Sequence, residues 1–76
     1  MNAARRKELA TAIELLATAR EMIAQAGDDE RDYYDAMPEN LQGTERGERA
    51  SEVADHLAEF AERILDLEGE VADAAA

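Results

Sequence analysis

Residues 33–43 read Tyr33-Tyr34-Asp35-Ala36-Met37-Pro38-Glu39-Asn40-Leu41-Gln42-Gly43, and the reading of this stretch decides the fold. It holds both tyrosines, the one proline and one of the four glycines. Pro38 should end a helix: it has no N–H to donate, and its ring pushes Met37 out of the helical region. Residues 38–41 can then form a single turn, because proline is at ease in a first turn. Gly43 offers backbone freedom. Thr44 follows as an N-cap, with Glu45 in the first turn, where the helix dipole favours negative charge. The stretch reads as the bend between two helices.

Upstream, residues 3 to about 36 carry an amphipathic pattern behind a candidate N-cap at Asn2. Leu9, Ile13, Leu16, Arg20 and Ile23 alternate in steps of four and three, the spacing of a helix–helix seam. A second set, Ala12, Leu15, Ala19, Met22 and Ala26, lies beside it, so the apolar surface is broader than one partner helix covers. Arg20 falls on the seam. Either its stem packs while its head reaches water, or it forms a buried pair with an acid that fixes register. Gly27 is followed by Asp28, and glycine costs about 1 kcal/mol against alanine inside a helix. The phase nevertheless continues through Glu30, Tyr34 and Met37, which leaves a continuous helix or a kink at Gly27.

Downstream, a helix over about 45–74 is expected on Ala50, Val53, Leu57, Phe60, Ile64, Leu67, Val71 and Ala74, which alternate by three and four. The neighbours Ala54, Ala58 and Ala61 are small, and Leu65 is the one large neighbour. Gly47 and Gly69 lie off this seam and are expected to weaken the helix ends. Two helices of roughly 30 to 34 residues, each about 45–50 Å long, joined by a loop over about 37–44, give an all-α antiparallel hairpin. That arrangement sets Arg5, Arg6 and Lys7 beside Asp66, Glu68, Glu70 and Asp73. An isolated hairpin has a thin core, so pairing of two hairpins into a four-helix bundle is expected, with Leu15, Met22 and Leu65 in the homodimer interface.

The chain has 76 residues, no cysteine, one histidine and a net charge of −11. It is one small domain without disulfides or thiolate ligands. No run of about 18 apolar residues is present for a membrane span, and Glu8 interrupts the basic start where a secretory signal would need an apolar core. A cytoplasmic protein is expected. Charge is uneven: residues 1–27 carry four basic and three acidic side chains, residues 28–48 two and eight, and residues 49–76 two and eight. Such a polyanion is repelled by bare nucleic acid and anionic membranes, so direct contact with either is not expected. Dense carboxylates can instead imitate phosphate before a basic channel, or serve only as the solvated face of a helix.

Chemistry is thin in the sequence. His56 has Glu52, Asp55 and Glu59 within reach, but Val53 stands where a Glu-x-x-His metal motif needs its glutamate. A boundary histidine paired with an acid is the expectation. Glu59 and Glu62 make a carboxylate pair of the kind that abounds in an acidic helix, with no pocket to tune it. No catalytic set, phosphate loop, cofactor site or metal site is expected. Tyr33, Tyr34, Met37 and Leu41, with Asp32, Asp35 and Glu39 around them, are either a plug at the end of the bundle or an anchor for a protein partner.

The run from Tyr34 to Gly43, with Gly47-Glu48 just after it, resembles a signature of small acidic helical proteins encoded by phages and prophages. The likeness covers the central third, and the flanks in composition only; Ala36 stands where the signature has asparagine. It implies a mobile-element origin and no particular activity. The function expected first is a non-catalytic binding protein. It would inhibit a basic, nucleic-acid-handling host defence protein in the manner of anti-CRISPR or anti-restriction DNA mimics. A structural or accessory coiled-coil subunit is the second reading, and a helical nucleotide-processing or metal–carboxylate enzyme the third.

Overall fold

Asn2 starts the first helix by accepting the Arg5 N–H on its side-chain oxygen at 2.8 Å, which satisfies one of the N–H groups a helix start leaves free. This helix, α1, runs over Ala3–Asp35 without a break at Gly27 in a computed structural model that describes residues 1–76. At its far end the Gln42 side-chain amide donates to the carbonyls of Tyr34 (3.2 Å) and Met37 (3.4 Å). A side chain from beyond the bend thus caps the carbonyls that Pro38 prevents from continuing a helix. The one-turn helix α2, Glu39–Gln42, follows Pro38, whose carbonyl accepts the Leu41 and Gln42 N–H groups.

The last helix, α3, covers Glu45–Ala75. The Thr44 hydroxyl donates to the Leu41 carbonyl at 2.5 Å and accepts the Gly47 N–H at 3.3 Å, tying α2 to the start of α3. Glu45 and Glu48 occupy the first turn, where the dipole stabilises them. Gly43 sits at φ −83°, an ordinary right-handed conformation, so the bend does not use its backbone freedom. Gly47 is the glycine the bend requires. A Cβ there would stand 2.6 Å from the Leu41 carbonyl oxygen and as close to that of Gln42. The expectation that Gly47 merely weakens a helix end is therefore corrected: it is buried where α3 passes under the bend.

The fold is all-α, a hairpin in which α1 and α3 pack antiparallel along their length. The α1 seam follows the sequence: Leu9, Ile13, Leu16, Arg20, Ile23, Gly27, Glu30, Tyr34 and Met37 are buried or half-buried. The α3 seam is rotated from the expected one. Ala50, Leu57, Ile64 and Val71 face α1, but Ala54, Ala61, Glu68 and Ala75 complete the row, while Phe60 (41% exposed), Leu67 (48% exposed) and Ala74 turn outward. The two rows share every second member and differ by about 50° around a helix of 100° per residue, so period alone does not choose between them.

Size chooses. A Cβ added at Gly27 would lie 3.2 Å from the Leu57 Cβ and 3.6 Å from the Ala54 carbonyl oxygen. The helix backbones meet almost directly there, and that approach admits only small side chains between them. Ala50, Ala54 and Ala61 are the buried apolar core.

The charge pairing expected at the open end is also corrected. The ion pairs are Arg20–Glu68, Arg31–Asp55 and Arg63–Glu59, and none involves Arg5, Arg6 or Lys7. Counting outward from the Gly27 crossing at equal rise, the C-terminal residue Ala76 reaches only the level of about residue 7 of α1. The basic cluster therefore caps the open end, beyond the reach of Asp66, Glu68 and Glu70.

Candidate functional site

At the bend, six residues expected to bind a partner separate by role. Tyr34 lies in the seam, half-buried, with the Arg31 guanidinium 5.5 Å from its ring centre. The same guanidinium donates to the Ser51 hydroxyl (3.2 Å), the Ser51 carbonyl (3.4 Å) and the Asp55 carboxylate (2.5 Å). Tyr34 is thus a structural part of the hairpin end. Tyr33, one residue on and about 100° around the helix, is exposed, with Arg46 6.0 Å from its ring centre. Asp32, Asp35, Glu39 and Leu41 are exposed as well. The bend therefore presents one aromatic, one leucine and three free carboxylates to solvent.

Acid is concentrated around this end. Residues 22–63, the bend half of the hairpin, carry four basic and twelve acidic side chains; residues 1–21 and 64–76, the open half, carry four and seven. The net charges are −8 and −3. On a body 59 × 14 × 12 Å in extent this is a field polarised along the long axis, strongest at the bend and relieved at the open end by Arg5, Arg6 and Lys7. The concavities are shallow; one, lined by Thr44, Glu45, Arg46, Glu48, Arg49 and Glu52, has no apolar wall. No group of three His, Cys, Asp or Glu side chains is placed to hold a metal ion. No helix is long and apolar enough to cross a membrane.

Midway along the rod, Arg20 and Glu68 form an ion pair in the seam, Glu68 buried and Arg20 half-buried, so the two readings of the Arg20 position meet: its head finds an acid and also keeps access to water. The Arg20 Nε donates to the Glu68 carboxylate at 2.6 Å, and Glu68 is 9% exposed. The hydrogen bond to Glu68 raises the Arg20 guanidinium above its ordinary value, against a smaller opposing effect of desolvation. A raised basic group contributes stability that is whole below its unfolded value and fades only as pH climbs past its folded one. This contribution is therefore constant through the neutral range.

The three residues expected at a dimer interface are all exposed but do not share a face. Arg31 with Ser51 and Asp55 marks one side of the seam. Seven-residue steps place 17, 24 and 31 of α1 and 51, 58 and 65 of α3 on that side. A groove there is walled by Ala24, Gly27, Arg31, Ala54, Asp55 and Ala58. Leu65 belongs to this side. Leu15 (67% exposed) and Met22 (69% exposed) belong to the other, with Phe60 and Leu67. Leu15 and Met22 thus share their side with Phe60 and Leu67, and Leu65 does not. The signal that would have placed Phe60 and Leu67 there is Gly27, whose phase on α1 demands alanines opposite it. His56, expected to pair with an acid, instead stacks on Phe60 with ring centres 6.0 Å apart, and Arg63 lies over the same ring at 5.6 Å. No protein-family model, curated protein or solved structure matches the chain.

Proposed function

We propose that the protein acts without catalysis, by binding another protein through the acidic surface of its bend half. The partner is a basic, nucleic-acid-handling protein, and the carboxylates occupy a channel that otherwise receives phosphates. The observation that carries this reading is the polarised charge, −8 over the bend half against −3 over the open half, displayed on a narrow rod. Tyr33 and Leu41 supply the apolar contacts that fix position, while exposed Asp32, Asp35 and Glu39 supply attraction and steering. A phage or prophage origin, with a host defence protein as the partner, accords with the likeness of residues 34–43 to phage-encoded acidic proteins.

The test is capture from a host lysate at about 0.05 M and about 0.5 M salt, where the Debye length falls from roughly 14 to roughly 4 Å. A variant carrying Asp28→Asn, Asp32→Asn, Asp35→Asn and Glu39→Gln is run in parallel. The expected result is a basic partner retained at low salt, released at high salt, lost with the variant, and displaced by duplex DNA. A complex indifferent to salt and to the four amides, but lost on changing Leu15 or Met22, would replace this reading with that of an accessory coiled-coil subunit. The exposed apolar side of the hairpin favours that second reading.

A further inference from the structure

The geometry points to a second copy of this chain as the occupant of the exposed apolar side, in a two-fold four-helix bundle whose bends lie at opposite ends. Area gives the first reason. No large side chain is fully buried, and the chain exposes 5583 Å². A compact monomer of 8.3 kDa exposes about 4,600 Å². The excess, about 1,000 Å², matches the roughly 800 Å² that each partner buries in a standard stable interface. The apolar side also has the footprint for it, since the rod measures 59 by 14 Å.

Symmetry gives the second. The large residues on this side of α3 are half-buried Val53 and exposed Phe60 and Leu67, evenly spaced about Phe60. On α1, Ala19 and Ala26 lie on the same side, spaced about Met22. Antiparallel register from the Gly27 crossing places Met22 level with about residue 62 of α3, near the middle of the hairpin. A two-fold axis through this point, perpendicular to the helices, sets Phe60 against its own copy. It also sets Val53 against Leu67 of the second copy, and the small Ala19 against the equally small Ala26. The apolar row is thus complementary to itself when one hairpin is reversed.

Charge selects that reversal. A parallel pair lays the −8 half beside the −8 half, whereas the reversed pair lays −8 beside −3 and brings Arg5, Arg6 and Lys7 to the acidic bend of the other copy. Each copy still carries −11, so residual repulsion opposes association, and salt should tighten the dimer. That sign is opposite to the salt dependence of the complex with the basic partner, so the two readings stand or fall separately.

The test is sedimentation equilibrium of the full chain over a range of concentrations and at two salt levels. The expected result is twice the 8.3 kDa chain mass, held more tightly at high salt. Phe60→Ser with Leu67→Ser should raise the dissociation constant at least about 100-fold. Leu65→Ser, on the other side, should change it by less than about threefold. A second arm leaves the face untouched. The chain has no cysteine, and nothing lies within 4 Å of a Cβ at Gly43, so Gly43→Cys carries a spin label at the bend. Reversed hairpins hold the two labels apart by a distance approaching the 59 Å length of the rod; parallel hairpins bring them within about 20 Å, two helix diameters. A single-chain mass at every concentration overturns the dimer. A short label distance overturns the reversed arrangement. A dimer that loosens with Leu65→Ser and ignores the Phe60/Leu67 change overturns the face.

Discussion

The two sides of the α1–α3 seam are built from opposite materials. On the side of Arg31 the flanking residues are Ala17, Ala24, Ser51 and Ala58, with Leu65 the one large apolar member, and an arginine that bonds Ser51 and Asp55 ties the helices together. On the other side stand Leu15, Met22, Phe60 and Leu67, all exposed. The difference follows from the centre of the seam. Gly27 against Ala54 and Leu57 brings the backbones so close that bulk cannot stay between them. Apart from Leu65, the large exposed side chains beside this seam, Leu15, Met22, Phe60 and Leu67, gather on one flank, where a single hairpin cannot cover them. Close packing within the chain and an open apolar face outside it are therefore consequences of one arrangement.

The comparison breaks most severely where the close seam meets the bend. Gly47→Ala places a methyl 2.6 Å from the Leu41 carbonyl oxygen, a backbone atom that cannot swing aside. A loss of about 3 kcal/mol is expected, at the upper end of overpacking costs, read as the fall in the urea midpoint. Gly43→Ala, four residues earlier, meets nothing within 4 Å and should leave the midpoint unchanged or slightly raised. Next in size is Ala54→Leu. Ala54 is 4% exposed where the α3 backbone closes on Gly27, so a larger side chain there must push the helices apart. About 2 kcal/mol is expected, a fall in Tm of roughly 8–16 °C for a domain this small. An Ala54→Leu chain that melts as the parent does would mean the helices are not held at the close distance.

Much of this was legible in the residues. Asn2 and Thr44 announce themselves as caps, Pro38 as a stop, and the steps of three and four on α1 give its buried face. The position of Arg20 on that face already left room for a buried acid, which proved to be Glu68. The rotation of α3 was not legible from period, because Ala50, Leu57, Ile64 and Val71 belong to both candidate rows. Choosing by hydrophobicity favours Phe60 and Leu67, and choosing by volume favours Ala54 and Ala61; contact distance at Gly27 makes volume decisive. Grouping Leu65 with Leu15 and Met22 rested on size and expected exposure alone, which do not tell the two sides of the seam apart. At the bend, the neighbours Tyr33 and Tyr34 read as one cluster, but a helix separates consecutive residues by about 100°, and only Tyr33 remains outside.

The pair between Arg20 and Glu68 sharpens the comparison at intermediate size. Glu68→Gln keeps the shape and removes the charge that faces Arg20 at 2.6 Å. Tm should fall, by less than in Ala54→Leu, because Arg20 keeps access to water (27% of its side chain is exposed) and can turn outward. The fall should be the same at pH 6 and pH 8. The Arg20 guanidinium is raised by its bond to Glu68, so the parent keeps that contribution whole until pH exceeds the ordinary arginine range. A loss that varied across neutral pH would point to a different titrating group behind it.

The smallest expected effects distinguish the two flanks most directly. Leu65→Ser and Phe60→Ser each replace one exposed apolar side chain on α3, five residues apart and on opposite sides of the seam. Measured in dilute solution, where a single hairpin prevails, Leu65→Ser should shift the unfolding free energy by no more than about 0.5 kcal/mol. Phe60→Ser should cost somewhat more, on the order of 1 kcal/mol, because the ring also stacks with His56 at 6.0 Å and lies under Arg63 at 5.6 Å. At high protein concentration the gap should widen for Phe60→Ser alone, since mass action adds the lost association to its stability deficit. Parallel behaviour of the two variants at every concentration would make the flanks equivalent, and would locate the excess surface of the hairpin in its length instead of in one face.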